Sequence, residues 1–412
     1  MTKIVNSKIF LILINFLILN YIFFSQRIIF RQNPYIVGDW LINYQGGFVR
    51  RGFLGELFYQ ISKIFDVSIL NILFLFNSII IVFFFFLTYS IIKNSLKNYI
   101  FTIYCLLPST FLFTFFDPLA VARKDYLILL PYLIYAYMAE KKINNIFINF
   151  TLCVFFLILA LTHELVIFFI PYLFFIKILI NSNSLLSIKN FKFEIAYLLL
   201  CFLGLIAIYA FSNPFNSQIC DSLLSLGLSK EICQGVIRDF GSETYGLMPF
   251  QYMISYFNQF KYHNYLFYFI LNFFPILFIL YKNKKKTECK TYLNFTFVIF
   301  IISIPIFING TDWGRYLNIH FILHSICFHF LIQKLNNNEN NINNLKKIIF
   351  IPIILIYLSS WHMPHCCQKK IGNGYYYIFE RITYRINDES NETHKYGKDL
   401  ARVILKKIIN FF

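Results

Sequence analysis

The chain has 412 residues, of which 58% are hydrophobic, 21% aromatic and only 14% charged. Soluble domains carry about a quarter charged residues, so this balance excludes an ordinary soluble protein and indicates an integral membrane protein. A net charge of +17 in such a chain reports orientation and lipid contact, and nucleic acid is set aside as a partner.

Phe, Ile, Asn, Lys and Tyr dominate together, as in an AT-rich genome. Neither the aromatic count nor the run from Asn336 to Asn344 is therefore read as a binding surface. A spanning helix needs roughly 20 apolar residues. Apolar runs fall at Ile9 to Phe24, Ile69 to Ile92, Tyr99 to Phe116, Tyr126 to Met138, Ile146 to Thr162, Leu165 to Ile180, Ile195 to Phe211, Tyr265 to Tyr281, Tyr292 to Ile308 and Tyr316 to Ile332. These predict an all-α polytopic protein with ten crossings. An eleventh, Ile348 to Tyr357, reaching at most Trp361, stays open because it is short. The first run lacks a small-residue cleavage site and is followed by Arg27 and Arg31, so it reads as a retained anchor. Residues 1–361 form one membrane domain with outer loops at 26–68 and 212–264, and residues 362–412 form a basic amphipathic tail.

Lysine sets the orientation. Of the 21 lysines up to position 347, 17 lie at the N-terminus and in every second connection, which the positive-inside rule places in the cytoplasm. The seven arginines of the same stretch, Arg27, Arg31, Arg50, Arg51, Arg123, Arg238 and Arg315, all fall on the other side. Cations held against the topological preference ask for a reason specific to guanidinium, whose planar fork binds phosphate bidentately. The plain alternative is contact with lipid phosphates.

The outer connections carry the remaining polar residues. The first reads Gly38-Asp39-Trp40, then Gly46-Gly47-Phe48-Val49-Arg50-Arg51-Gly52. Its glycines suit close approach of backbone N–H groups to an anion. Leu54, Leu57, Phe58, Ile61 and Phe65 then share one face of a re-entrant or interfacial helix that delivers Arg50 and Arg51 to the membrane surface. The second holds Asp117, Arg123, Lys124 and Asp125, where an ion pair between Arg123 and Asp125 could neutralise both. The third is barely a loop, Thr162-His163-Glu164, and ionisable groups at a membrane boundary are default site candidates. His163 or Glu164 is a candidate general base, with burial raising the carboxylate pKa and lowering that of the imidazole.

Cys220 and Cys233 in the fourth outer loop could pair in an oxidising compartment, whereas Cys289 on the lysine side should stay reduced. The fifth, Asn309 to Arg315, combines Asp312, Trp313 and Arg315. Trp40 and Trp313 suit either stacking on sugar rings or the interfacial aromatic belt. His320 and His324 are one turn apart but lack a third ligand, and the cluster from Trp361 to Cys367 is equally incomplete, so no metal is expected. No GxxxxGK[ST] loop is present, and no cofactor is expected.

A lipid-linked sugar diphosphate satisfies arginines, acids and aromatics together and carries its own activation. On these features, with Arg123 and His163 flanking a lysine hairpin, the chain resembles bacterial O-antigen polymerases of the Wzy type and related exopolysaccharide polymerases. The resemblance implies a metal-independent glycosyltransferase of the inner membrane, with a cytoplasmic N-terminus and a periplasmic active site. Such an enzyme joins undecaprenyl-pyrophosphate-linked repeat units, beside a chain-length regulator and a flippase. Arg50, Arg51, Arg123 and Arg315 would then bind the diphosphate, with Lys124, Arg238, Asp312, Trp313 and Trp40 as further substrate contacts and Glu164 or His163 as base. Asp39 in the first loop also fits a GT-C glycosyltransferase that uses a polyprenyl-phosphate sugar, with Asp39 as base. A lipid-linked oligosaccharide flippase ranks third, because charges deep within the spans are almost absent. Arg50→Lys or Arg123→Lys should abolish activity despite retained charge, because the fork is lost. Full activity in both variants, in an assay of polysaccharide assembly, overturns the diphosphate clamp.

Overall fold

The computed structural model describes residues 2–143, 145–181, 188–212, 215–240, 250–259, 261–335 and 356–366. These form α-helices joined by short turns, with no β-strand among the described residues. The helices are α1 (Thr2–Phe30), α2 (Val37–Leu41), α3 (Gly52–Phe65), α4 (Ile69–Ile92), α5 (Tyr99–Cys105), α6 (Phe113–Phe116), α7 (Asp125–Glu140), α8 (Ile146–Thr162) and α9 (Val166–Phe169). They continue as α10 (Pro171–Ile180), α11 (Lys192–Phe211), α12 (Asn216–Ser225), α13 (Val236–Phe240), α14 (Phe250–Gln259), α15 (Asn264–Lys282), α16 (Thr287–Asn309) and α17 (Trp313–Leu335). Six of them, α1, α4, α11, α15, α16 and α17, are long and apolar enough to cross a membrane. The protein is an all-α polytopic membrane protein.

The central helix is α17, which packs against α5, α7, α10, α15 and α16 and is buried along nearly its whole length. It is also the least apolar of the six. The two properties go together, because a helix shielded from lipid can carry polar side chains as long as protein groups satisfy them. His320 Nδ1 meets Tyr172 Oη at 2.9 Å, His324 Nδ1 meets Tyr292 Oη at 3.1 Å, and His329 Nδ1 meets Ser95 Oγ at 2.8 Å. The outer helices instead expose apolar side chains, such as Leu75, Ile79 and Phe86 on α4 and Leu199, Leu203 and Ile206 on α11. Where α8 and α11 cross, Gly204 faces Ala160, and a Cβ at Gly204 would lie 2.9 Å from that of Ala160. Small residues let these two helices approach closely.

Two of the expected crossings are broken. The run Tyr99 to Phe116 stops being helical after Cys105 and resumes at Phe113, because Pro108 has no N–H to continue the ladder. The freed carbonyls are bonded from the side. Thr110 Oγ1 lies within hydrogen-bond distance of the carbonyls of Tyr104, Cys105 and Leu107, to one of which it donates, and Asn318 Nδ2 on α17 donates to those of Ser109 and Thr110 at 2.8 and 2.9 Å. The run Leu165 to Ile180 is divided at Pro171 into α9 and α10.

The bundle has two chemically distinct ends. Glu140, His329, Gln333, Lys286 and the carbonyl of Leu335 are hydrogen-bonded at one end, where the described lysine-bearing connections also lie. The opposite end carries the arginines. Leu335 lies at the lysine end and Trp361–Cys366 pack at the arginine end, so the chain changes ends between them. Residues 336–355, which hold most of the eleventh apolar run, are outside the described residues, as is the amphipathic part of the tail.

The arginine end is layered. The first outer loop packs on the fourth: Phe215 N–H donates to the carbonyl of Gly46 at 2.7 Å, and Asn43 Nδ2 donates to Ser222 Oγ at 2.9 Å. Cys220 and Cys233 form a disulfide in this layer, and Cys289 is free. Gly46 serves that packing rather than an anion, since a Cβ there would lie 2.3 Å from the Phe215 carbonyl oxygen. The helix α3 buries Leu54 and Phe58 and exposes Leu57, Ile64 and Phe65, the pattern of an interfacial helix. Asn318→Leu leaves the interior Ser109 carbonyl without its donor, at about 1–3 kcal/mol, while the Thr110 carbonyl keeps the Phe113 N–H at 3.2 Å. A lower melting temperature is expected in detergent, read by a thiol-reactive dye as buried Cys105, Cys201 and Cys327 become exposed.

Candidate functional site

The segment 122–125 distributes three consecutive charges in three directions. Ala122 takes a left-handed conformation (φ 62°), which costs a non-glycine residue about 1–3 kcal/mol and persists only where its surroundings hold it. Both of its peptide groups are held. Its N–H donates to Tyr21 Oη at 3.2 Å and its carbonyl accepts from Trp40 Nε1 at 2.6 Å. Trp40 is 1% exposed and packs against Phe58 and Phe76. The expectation that Trp40 stacks on a sugar is corrected, because no face of the ring is open.

Lys124 points inward and is completely buried. Its Nζ donates to the carbonyls of Asp39 at 2.7 Å and Thr162 at 3.3 Å and lies 3.5 Å from Asp39 Oδ2. Burial lowers its pKa to about 8, opposed chiefly by Asp39. Asp39 sits on α2, and its other oxygen accepts from Arg51 Nη1 at 3.0 Å. Arg51 caps α3 with φ 65° and grips Glu164 through one edge of its guanidinium, Nε at 2.9 Å and Nη2 at 2.5 Å. Arg50 lies at the edge of this group, 3.6 Å from Glu164 Oε1.

Asp125 begins α7 and forms a second group. It pairs with Arg315, not with Arg123. Arg315 Nε and Nη2 donate to its two oxygens at 2.8 and 2.6 Å, and Arg315 Nη1 donates to Asp312 at 2.5 Å. Burial raises the Asp312 pKa but Arg315 and Arg123 outweigh it, holding the carboxyl at about 2.

Arg123 lies between the two groups and feels Arg315, Asp312, Asp39 and Asp125 electrostatically. Among the described residues it makes one hydrogen bond, a long one of 3.4 Å from Nη1 to the carbonyl of Tyr35. Its buried Nε has no partner, and among the described residues no carboxylate lies within ion-pair distance. Burial, then Arg315, lowers its pKa. Among the described residues of the two groups, Arg50, Arg51, Lys124, Arg315 and Arg123 thus meet Asp39, Glu164, Asp125 and Asp312, and the unmatched cation is Arg123.

The candidate bases also change. Burial alone would raise Glu164, but the Arg51 charge and hydrogen bonds hold it well below the ordinary range, contrary to the sequence expectation. Asp39 is likewise held low, with burial outweighed by Lys124, Arg51 and His163. Both carboxylates are therefore weak bases while these pairs persist. Burial, followed by Arg51, lowers His163 as expected. Its Nδ1 accepts from Leu165 N–H at 3.4 Å, which leaves the ring proton on Nε2 as a donor.

Trp313 stacks on Tyr262 at 4.8 Å, with its Nε1 bonded to the carbonyls of Phe307 and Gly310, so one face is already covered. Arg238 is exposed on α13 and belongs to neither ionic group. The sequence reading missed a third polar contact, between Asp117 and His365, 248 positions apart, at 2.7 Å. No signal short of contact information could have joined them. His320 and His324 bind tyrosines, and among the described residues no group of three metal-ligating side chains occurs. No protein-family model, curated protein or solved structure matches the chain.

The depressed carboxylates stabilise the fold fully above their ordinary values of 3.8 and 4.5 and lose that contribution as pH falls through the folded values. The melting temperature is expected to drop steeply between about pH 4.5 and 2. Asp125→Asn, which leaves a buried guanidinium half paired, should cost about 3–5 kcal/mol and lower the melting temperature at neutral pH; an unchanged value there contradicts the pairing.

Proposed function

We propose that the protein is a membrane glycosyltransferase that takes a sugar from a polyprenyl-linked phosphate or diphosphate at its arginine end. The single observation that carries the reading is Arg123, a half-buried guanidinium with an unsatisfied Nε and no carboxylate partner among the described residues. A phosphate oxygen supplies both the missing charge and the missing acceptor. Arg51 and Arg315 hold this geometry and do not contact the donor directly, since two carboxylates already occupy each fork. The exposed apolar face of α3 lies where a polyprenyl chain would enter from the bilayer. The lysine distribution supports a periplasmic position for this end in a bacterial inner membrane.

Within this class, joining undecaprenyl-pyrophosphate-linked repeat units into O-antigen or another surface polysaccharide is the first reading. A single-sugar transferase of GT-C type is the second reading, supported by the place of Asp39 on α2 directly after the first membrane helix but weakened by its pairing with Arg51 and Lys124. A deletion in the native strain separates them on a lipopolysaccharide gel. Loss of the long ladder with one repeat unit retained supports polymerisation, and loss of even that unit supports single-sugar transfer. An unchanged surface glycan overturns both.

Arg123→Gln should raise the donor KM strongly, by about 1.5–3 kcal/mol of charged hydrogen bonding, without lowering the melting temperature. Arg315→Gln should lower the melting temperature instead. Measuring both quantities on both purified variants distinguishes the binding cation from the structural one.

A further inference from the structure

Residues 361–366 follow the central helix by 26 positions or more yet pack across the arginine end. Trp361 stacks on Tyr268, Met363 is fully buried, and the carbonyl of Pro364 accepts from Tyr265 Oη at 3.2 Å. The carbonyl of His365 accepts from Gly314 N–H at 3.0 Å. A side chain at Gly314 would prevent this, since a Cβ there would lie 1.8 Å from the Pro364 carbonyl oxygen. The strap therefore has a fixed register.

That register sets His365 against Asp117. One carboxylate oxygen, Oδ2, accepts both the backbone N–H and the ring Nδ1–H of His365 at 2.7 Å each. The other, Oδ1, accepts from Leu119 N–H at 3.2 Å, which fixes the carboxylate in turn. A carboxylate on Nδ1 selects the tautomer whose Nε2 carries the lone pair, the arrangement of an oriented general base. No described residue bonds to Nε2. Asp312 and Arg123, the unmatched cation, are the other charges that act on this ring.

We infer that His365 is the general base of the transfer reaction, with Nε2 taking the proton of the acceptor hydroxyl, and that Asp117 is the residue that positions it. The inference rests on the glycosyl-transfer reading above and names the proton acceptor that Glu164, Asp39 and His163 are poorly set to be. As the acceptor oxygen bonds to the anomeric carbon, its proton passes to Nε2. The bond from that carbon to the phosphate oxygen breaks, and its electron pair leaves on the phosphate opposite Arg123. The imidazolium, held by Asp117, then releases its proton to water. Burial lowers the His365 pKa, but Asp117 and then Asp312 raise it above the ordinary imidazole value against Arg123. The ring is thus a stronger base than its partly buried position alone would make it.

The test uses the full chain in vesicles of bacterial lipid, with undecaprenyl-phosphate and undecaprenyl-pyrophosphate sugars as donors. Wild-type kcat/KM should rise with pH along a single basic limb. Asp117→Asn should move that limb to lower pH, a shift that a purely structural role for Asp117 would not produce. His365→Gln should lower kcat by about 10²–10⁴-fold at unchanged donor KM, and His365→Gly should recover part of the loss with added imidazole. Wild-type kcat in His365→Gln, an unmoved limb in Asp117→Asn, or a His365→Gly variant that binds donor but ignores imidazole overturns the inference alone. A wild-type protein that turns over neither donor overturns the glycosyl-transfer reading and this inference with it.

Discussion

The pair between Arg315 and Asp125 is the constraint on which the arginine end depends. It joins the first turn of the central helix to the first turn of α7 across 190 positions, with both side chains almost wholly buried. Burying an ion costs several kcal/mol, and the attraction repays that only in good geometry with the remaining donors satisfied. The bidentate contact and the third bond to Asp312 meet both conditions. Asp125 is consequently unavailable to Arg123, its neighbour two residues earlier, and the positive charge left over appears there.

The same reasoning explains Arg51. Its fork is filled by Glu164 and Asp39, so a residue that reads as a phosphate ligand is instead the link between the first outer loop and the turn after α8. Left-handed backbone at Arg51 and at Ala122 marks where the chain bends sharply to bring these charges together. At Ala122 the bend is fixed from both sides by Tyr21 and Trp40, which gives Trp40 a structural purpose at the centre of the site. The groups that fix the bend before Arg123 are themselves buried.

Polar economy runs through the rest of the bundle. The helix broken after Cys105 presents carbonyls inside the protein, and Asn318 and Thr110 bond to them. The helix that supplies Asn318 also supplies Arg315, and both lie on a segment whose composition is too polar for contact with lipid. Its neighbours supply the apolar surface, and α17 is free to carry polar side chains.

Much of this was legible in the sequence. Apolar runs of spanning length gave the all-α membrane class, and the boundaries of Ile69 to Ile92 and Ile146 to Thr162 coincide with α4 and α8. The separation of lysine from arginine marked the two ends, because charge placement in a membrane chain is a one-dimensional property of alternate connections. Pro108 and Pro171 were visible too, although a break inside an apolar run is tolerated only where other side chains satisfy the backbone, and sequence does not show which ones do. Which charges pair was decided by the tertiary structure alone. Asp125 lies two residues from Arg123 yet reaches Arg315, and His365 meets Asp117 from a distant part of the chain. An ion pair is set by distance and direction in three dimensions, so the residue types could be read from the sequence, but that Arg123 lies between the two ionic groups without a carboxylate partner among the described residues emerged only from the packing.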